Sequence, residues 1–414
     1  MKVLLVNASD CKGGAAVVSR RLLHALNKQE GVEAKMLVAE KGTADGNIIA
    51  LPRTWWIRKA LDRAVVWAAN GFTKKKLWLT DGGFFGNDIT QRKEFQEADV
   101  IHLHWVNQGF LGLRDIEKIL KSGKKVVWTL HDMWPATSIC HYAEDCRKFQ
   151  MEGCSFCPQL QKPSADDLSA RIFRKKKALF ANLPESCGFS FIGCSNWVSS
   201  MASSSAITRH LPVQTIPNAI SFSQYAVGDR VEAKRRLGIA PETKVICFGA
   251  ARIDTPIKGF RFLVEALKMQ ADKLQNTLLL LMGGVSDETV FREIPIPYKH
   301  LGFISDTAPV YQASDCLVNC SLFENLGTTM IEAQACGCTP AAFDTGGTTD
   351  IVRDGETGYI ALPQNSASLA EAISKALHSP IPPEKLHQFA VDNFSEDVVA
   401  KRHLVVYKTQ EKEK

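Results

Sequence analysis

Short apolar runs of strand length recur along the chain, each followed by a turn signal and a helix-length segment whose apolar residues repeat at helical spacing. In the first half they predict strands over Lys2–Val6, Ala34–Val38, Val100–His104, Lys125–Leu130 and Ser190–Cys194. Asn218–Tyr225, with Pro217 just before it, reads as a linker. A second set begins with KVICFGA at Lys244 and continues with Thr277–Met282, His300–Phe303, Cys316–Asn319, Thr339–Phe343 and Gly358–Ala361. Alternation of strand and helix predicts an α/β protein with parallel sheets. Two successive sets predict two doubly wound Rossmann-like domains, 1–217 and 218–393, facing across a cleft. In such folds ligands lie beyond the carboxyl ends of the strands, so the loops there are where chemistry is expected.

The chain has 414 residues, enough for two or three domains at roughly 150 residues each. The apolar run near the N-terminus stops at Asn7, too short for a signal peptide. The longest later run, Leu278–Met282, falls far below the ~20 residues that span a bilayer. Twelve cysteines are too sparse for a disulfide scaffold, so a cytoplasmic chain with reduced thiols is expected. The charged tail Lys408–Lys414 is expected to fray. The net charge of +6 is unevenly spread. Residues 1–220 carry 30 Lys and Arg against 20 Asp and Glu, and 221–414 carry 20 against 24.

The sharpest motif is NCSLFENLGTTMIEAQACGCTPAAFDTGGTTD, residues 319–350. Glu324 falls in the loop after a strand, and a helix starting near Gly327 carries Glu332 on what reads as its exposed face. Between them Asn325, Leu326, Gly327, Thr328 and Thr329 offer backbone N–H groups at a helix N-terminus, an anion site. Taken alone, the two glutamates equally suit helix N-terminal acids favoured by the dipole. Upstream, Arg252 and Lys258 follow the strand KVICFGA, a fork and a point charge that suit a diphosphate.

In order, Glu324, Gly327, Glu332, Gly337–Pro340 and Gly346–Asp350 resemble the motif series of the retaining GT-B glycosyltransferases of family 4, with Leu326 where many members place Phe. The resemblance covers essentially the whole chain. It implies a nucleotide-sugar donor (UDP- or GDP-sugar), no catalytic metal, and transfer to a glycan or lipid-linked acceptor with retention of configuration. It further implies that Arg252 and Lys258 grip the donor diphosphate, spaced six apart where most members have five. Glu332 would hold the ribose, Glu324 the donor sugar, and the strand and loop at Gly302 and Phe303 would border the base. The helix at 394–414 is expected to pack back on the first domain.

In the first half, Gly13 and Gly14 at a strand-to-helix turn suit either a plain turn or close approach to a phosphate, with a helix from near Val17. The resemblance implies the second use. It also implies that His131, ending a strand as His-Asp, lies beside the transferred sugar. His102 and His104 point to one face of their strand. His104 and Trp105 could border the acceptor, or the histidines could simply pack. Cys140, Cys146, Cys154 and Cys157, spaced C-x5-C-x7-C-x2-C, suit a structural zinc site or remain free or oxidised thiols. This insert resembles one in a subgroup associated with exopolysaccharide and capsule (colanic-acid-type) assembly.

Residues 52–79 combine seven cations with Trp55, Trp56, Trp67 and Trp78. Ile57, Leu61, Val65 and Ala68 fall on one helix face, and Arg171–Lys177 forms a second basic cluster. Such stretches suit an anionic membrane surface or solvated helix faces. No nucleic-acid motif accompanies them. The resulting expectation is a cytoplasmic enzyme, peripheral at the inner face of the membrane, in exopolysaccharide, capsule or lipopolysaccharide assembly. The alternative is a non-catalytic nucleotide-sugar or membrane-surface binding partner in such a complex.

Overall fold

A computed structural model describes residues 1–74, 76–184 and 187–409. Lys75 of the basic segment and the tail beyond residue 409 lie outside the described residues. The chain forms two compact units, one comprising Met1–Ala219 and the chain from Val399, the other Ile220–Val398.

The first unit runs β1 (Lys2–Ser9), α1 (Gly14–Asn27), β2 (Glu33–Glu40), β3 (Ile48–Ala50), α2 (Trp55–Ala69), α3 (Lys93–Glu97), β4 (Val100–Leu103), α4 (Leu113–Leu120), β5 (Lys125–Leu130), α5 (Leu168–Ala181), β6 (Phe189–Gly193), α6 (Asn196–Ser204) and β7 (Val213–Thr215). Its sheet has the order β3-β2-β1-β4-β5-β6-β7, and every pairing is parallel. The central strands are buried on both faces, which is why they read as unbroken apolar runs. The two strands missing from the sequence reading, β3 and β7, are three-residue edge strands, partly exposed and without a distinctive pattern. Helix α1 begins at Gly14, earlier than the expected start near Val17.

The second unit runs α7 (Arg230–Arg236), β8 (Lys244–Arg252), α8 (Phe260–Lys268), β9 (Thr277–Gly284), β10 (Tyr298–Gly302), α9 (Ala308–Ala313), β11 (Cys316–Asn319), α10 (Thr328–Ala335), β12 (Thr339–Phe343), α11 (Thr348–Ile351), β13 (Tyr359–Ala361), α12 (Ser366–His378) and α13 (Pro383–Phe394). Its parallel sheet has the order β10-β9-β8-β11-β12-β13. Phe248, Leu263, Leu281, Val318 and Phe343 belong to its core. The last helix, α14 (Glu396–Lys408), sends Val399, Ala400, Val406 and Tyr407 into the first unit's core, among Val3, Leu5 and Leu23.

At the amino end of β11, Asp315 ties the second unit's first helix to its sheet. Its carboxylate accepts the Val245 backbone N–H at 2.9 Å and the Lys234 ammonium at 3.2 Å, with Arg230 at 3.3 Å. Lys234 is itself buried, so removing its anion leaves an uncompensated charge. Asp315→Ala should therefore cost about 3–5 kcal/mol, measured as a fall in the urea midpoint of the second unit.

Candidate functional site

Parallel pairing puts the carboxyl ends of β8, β9, β10, β11 and β12 along one edge of the second sheet, and the motif residues follow those ends. Arg252 closes β8, and its guanidinium hydrogen-bonds the Ser286 hydroxyl beyond β9 and faces Asp254 at 3.5 Å. Asp254 is held below the usual carboxylate range, first by the Ser286 backbone N–H it accepts at 2.9 Å and further by Arg252. A 3-10 turn over Pro256–Lys258 accommodates the six-residue spacing. It delivers the Lys258 ammonium to Glu324 at 2.9 Å.

Backbone approach fixes this pair. Gly259 takes φ +70°, and a Cβ there would lie 2.0 Å from the Cys320 carbonyl oxygen. Gly346 takes φ +57°, and a Cβ there would lie 1.6 Å from the Glu324 carbonyl oxygen, which accepts the Gly347 N–H at 3.2 Å. The loop after β11 is thus pinned from both neighbours, with Leu322 N–H donating to Ile257 and the Thr345 hydroxyl to Ser321. Helix α10 begins at Thr328, capped by Gly327, and both threonines of its first turn are partly exposed. Asn325, Leu326 and Gly327 are buried. Glu332 is buried as well, at 8 % exposure, correcting the expectation of an exposed helix face. It approaches Tyr311, whose hydroxyl is pushed upward first by burial and then by that carboxylate. On the β10 loop, Gly302 turns left-handed and Phe303 is 82 % exposed.

In the first unit, the loops after β1, β4 and β5 are adjacent in the same way. Gly13 takes φ +85°, and both it and Gly14 face open space, so nothing in the unit crowds that turn. Asp10 before them is buried. It accepts the Thr43 hydroxyl at 2.6 Å and the Gly42 and Thr43 N–H groups. Burial raises its pKa, and these hydrogen bonds outweigh burial, leaving it lowered.

His131 follows the last residue of β5, with Nε2 at 2.9 Å from Nδ1 of His104. His104 lies against His102, ring centroids 4.2 Å apart, and His102 lies 5.5 Å from His403 of α14. His102 bonds the Tyr407 and Thr129 hydroxyls at 2.6 and 2.7 Å, so one histidine has a structural role and its neighbour reaches His131. Burial is the first cause holding all four imidazoles below their ordinary pKa, and both His131 and His403 fall to about 4. Next to His131, Asp132 accepts Trp105 Nε1–H at 2.9 Å, His141 Nδ1–H at 2.7 Å and the Trp134 N–H at 2.8 Å. Burial opposes its ionisation, and His141 together with these bonds keeps it lowered. The sequence reading missed Asp132 and His141 as members of this cluster. The His-Asp pair and the C-H-Y triplet were the available signals.

The four insert cysteines line one small cavity. The Cys140 and Cys157 thiols hydrogen-bond each other, raising Cys140 and lowering Cys157 to about 7. Burial pushes Cys154 to about 12. All four are free, and among the described residues no three His, Cys, Asp or Glu side chains are set to hold a metal ion.

Residues 229–392 match the family profile described as "Glycosyl transferases group 1". A D-inositol 3-phosphate glycosyltransferase of Actinosynnema mirum is 31% identical over 186 residues, 41% of this chain and 44% of that protein. A phosphatidyl-myo-inositol mannosyltransferase of Mycobacterium leprae is 26% identical over 204 residues, 47% of this chain and 53% of that protein. The chain thus spans about half the length, or less, of these curated relatives. Among solved structures, Anabaena Alr3699/HepE in complex with UDP superposes with a TM-score of 0.65 at 16% identity, over 98% of this chain and 99% of that one. Sucrose-phosphate synthase from Thermosynechococcus elongatus gives 0.66 at 18%, over 99% and 98%. The two Rossmann-like parallel-sheet domains expected from the sequence are present, and the fold is that of GT-B glycosyltransferases.

The histidine cluster has a pH consequence. Each folded pKa lies below the unfolded value of about 6.5, so as pH falls the unfolded chain takes up protons that the folded chain refuses. Stability should be full above that value and fall progressively toward about pH 4, where His131 and His403 titrate in the folded chain. Urea midpoints measured across this interval should slope downward toward acid, and His403→Gln should flatten the slope.

Proposed function

We propose that the protein is a glycosyltransferase that moves a sugar from a UDP- or GDP-sugar to a hydroxyl of a glycan or lipid-linked acceptor, with retention of configuration and without a catalytic metal. The observation that carries this reading is the Lys258–Glu324 contact. It joins two motif residues 66 positions apart at one sheet edge, beside Arg252 and the start of α10. In this reading Arg252, Lys258 and the amides leading into α10 stabilise the charge developing on the departing diphosphate, as preorganised donors do. Lys258 also orients Glu324 to accept hydrogen bonds from the donor sugar. Glu332 holds the ribose, and Gly302 and Phe303 flank the base.

Gly13 and Gly14 leave room for the donor phosphate or the acceptor, and His104 and Trp105 border the acceptor. His131, neutral at pH 7, accepts or donates a hydrogen bond at the reacting sugar without adding charge. The relatives' names point to inositol-phosphate and phosphatidylinositol acceptors for those proteins. Here the proposed acceptor is a lipid-linked glycan of exopolysaccharide, capsule or lipopolysaccharide assembly, met at the inner face of the cytoplasmic membrane. Among the described residues no helix is long and apolar enough to cross a membrane, which suits a peripheral enzyme.

Arg252→Ala and Glu324→Ala should each lower transfer from the cognate donor by roughly 10²–10³-fold while leaving the urea midpoint near wild type. Wild-type turnover in either variant would sink the assignment. The donor is identified by a thermal-shift screen across UDP-, GDP-, ADP- and CMP-sugars, in which the cognate one raises the apparent stability of the folded state.

A further inference from the structure

Helix α2 is seated with its polar side inward. Its buried residues are Asp62, Arg63 and Val66, followed by the C-cap Asn70. Arg63 bridges Asp62 at 2.7 Å and Asp81 at 2.8 Å and donates to the carbonyls of Leu77 and Thr80. Asp62 accepts the Phe84 N–H at 2.8 Å, and Asp81 that of Gln108. This buried network fixes the rotation of the helix about its axis. Gly109 lets the chain press against the other edge, since a Cβ there would lie 2.5 Å from the Lys59 backbone.

The apolar residues therefore face solvent. Ile57 is 44% exposed and Leu61 46%, one turn apart on one side, and the adjacent Trp56 is 60% exposed. Phe72 at 66% and Trp78 at 57% continue the exposed apolar surface along the chain. Of the face that Ile57, Leu61, Val65 and Ala68 share, Ile57, Leu61 and Ala68 are exposed and Val65 is partly buried.

Charge tells what would cover such a surface. Asp62 is the sole acid in residues 51–80, and it is buried against Arg63. Arg53, Arg58, Lys59 and Lys74 reach the surface, and none forms an ion pair among the described residues. The second basic cluster differs. On α5, Arg171 and Arg174 are paired with Asp166, Lys177 with Glu152, and Lys176 is buried over the Trp134 ring.

We propose that α2, together with Phe72 and Trp78, docks on an anionic phospholipid bilayer, Trp56, Ile57, Leu61 and Trp78 entering the interface while the flanking cations meet headgroup phosphates. A Trp-bearing apolar face whose flanking cations form no ion pair among the described residues matches that surface in both respects. The inference deepens the reading of a membrane-borne acceptor and rests on it for its purpose, though the docking itself requires no donor.

The test is co-sedimentation of the full chain with vesicles of equal parts phosphatidylglycerol and phosphatidylcholine, against phosphatidylcholine alone. Wild type should pellet with the anionic vesicles only. Trp56→Ser/Leu61→Ser and Arg53→Gln/Lys59→Gln/Lys74→Gln should each weaken binding by roughly 10-fold or more, whereas Arg171→Gln/Arg174→Gln should not. The exposed positions should leave the urea midpoint unchanged. Unaltered pelleting of the α2 variants overturns the proposal, as does a wild-type dimer dispersed by Trp56→Ser/Leu61→Ser with no vesicle binding, which would make the face a self-interface. Donor-induced thermal shift, run in parallel, separates the two readings. Its absence with vesicle binding intact sinks glycosyl transfer alone, and its presence without vesicle binding sinks docking alone.

Discussion

Every strand in both sheets runs parallel to its neighbours, and the rest of the molecule follows from that pairing. A parallel strand cannot return through a tight turn, so each connection crosses over a face of the sheet, usually as a helix. All the carboxyl ends then lie along one edge, and the loops leaving them become neighbours however far apart they are in sequence. Lys258 and Glu324 meet in this way after β8 and β11. His104 and His131 do so after β4 and β5.

The two edges solve opposite electrostatic problems. In the second unit charged groups stand close together, partly exposed, and are held by backbone approaches that only glycine at 259 and 346 permits. In the first unit burial strips the imidazoles of charge, and a chain of neutral rings runs from α14 through His102 and His104 to His131. A neutral ring can share a proton or hydrogen-bond a hydroxyl without adding charge. The same burial makes the C-terminal helix part of this edge, because Tyr407 bonds the ring at the middle of the chain.

Helix α2 shows how a buried ion network can override amphipathicity. Turning its apolar side inward would expose the Arg63 bridge and strip the Phe84 N–H of its acceptor, and breaking such a buried pair costs several kcal/mol. The helix stays polar-side-in, and its aromatic side is left for another surface. On α5 the sequence shows as dense a run of cations, yet Asp166 and Glu152 engage three of the five and Lys176 is buried. Density of basic residues and availability of positive charge are different quantities.

By itself the sequence determined the alternation of buried strands and crossover helices, hence both parallel sheets, because strands buried on both faces are largely apolar. It also determined the local motifs whose residues sit a few positions apart: the glycines of the turns, the glutamate loop and the start of α10. Edge strands of three residues carried no such signal. Only the tertiary structure decided which side of α2 is buried, which cations are already paired, that Glu332 is covered and that His141 joins Asp132. The tertiary structure also decided that the four cysteines share a cavity. Each of those outcomes depends on a partner far away in the chain, and periodicity along one segment records the shape of that segment but not the charge or hydrogen bond that meets it.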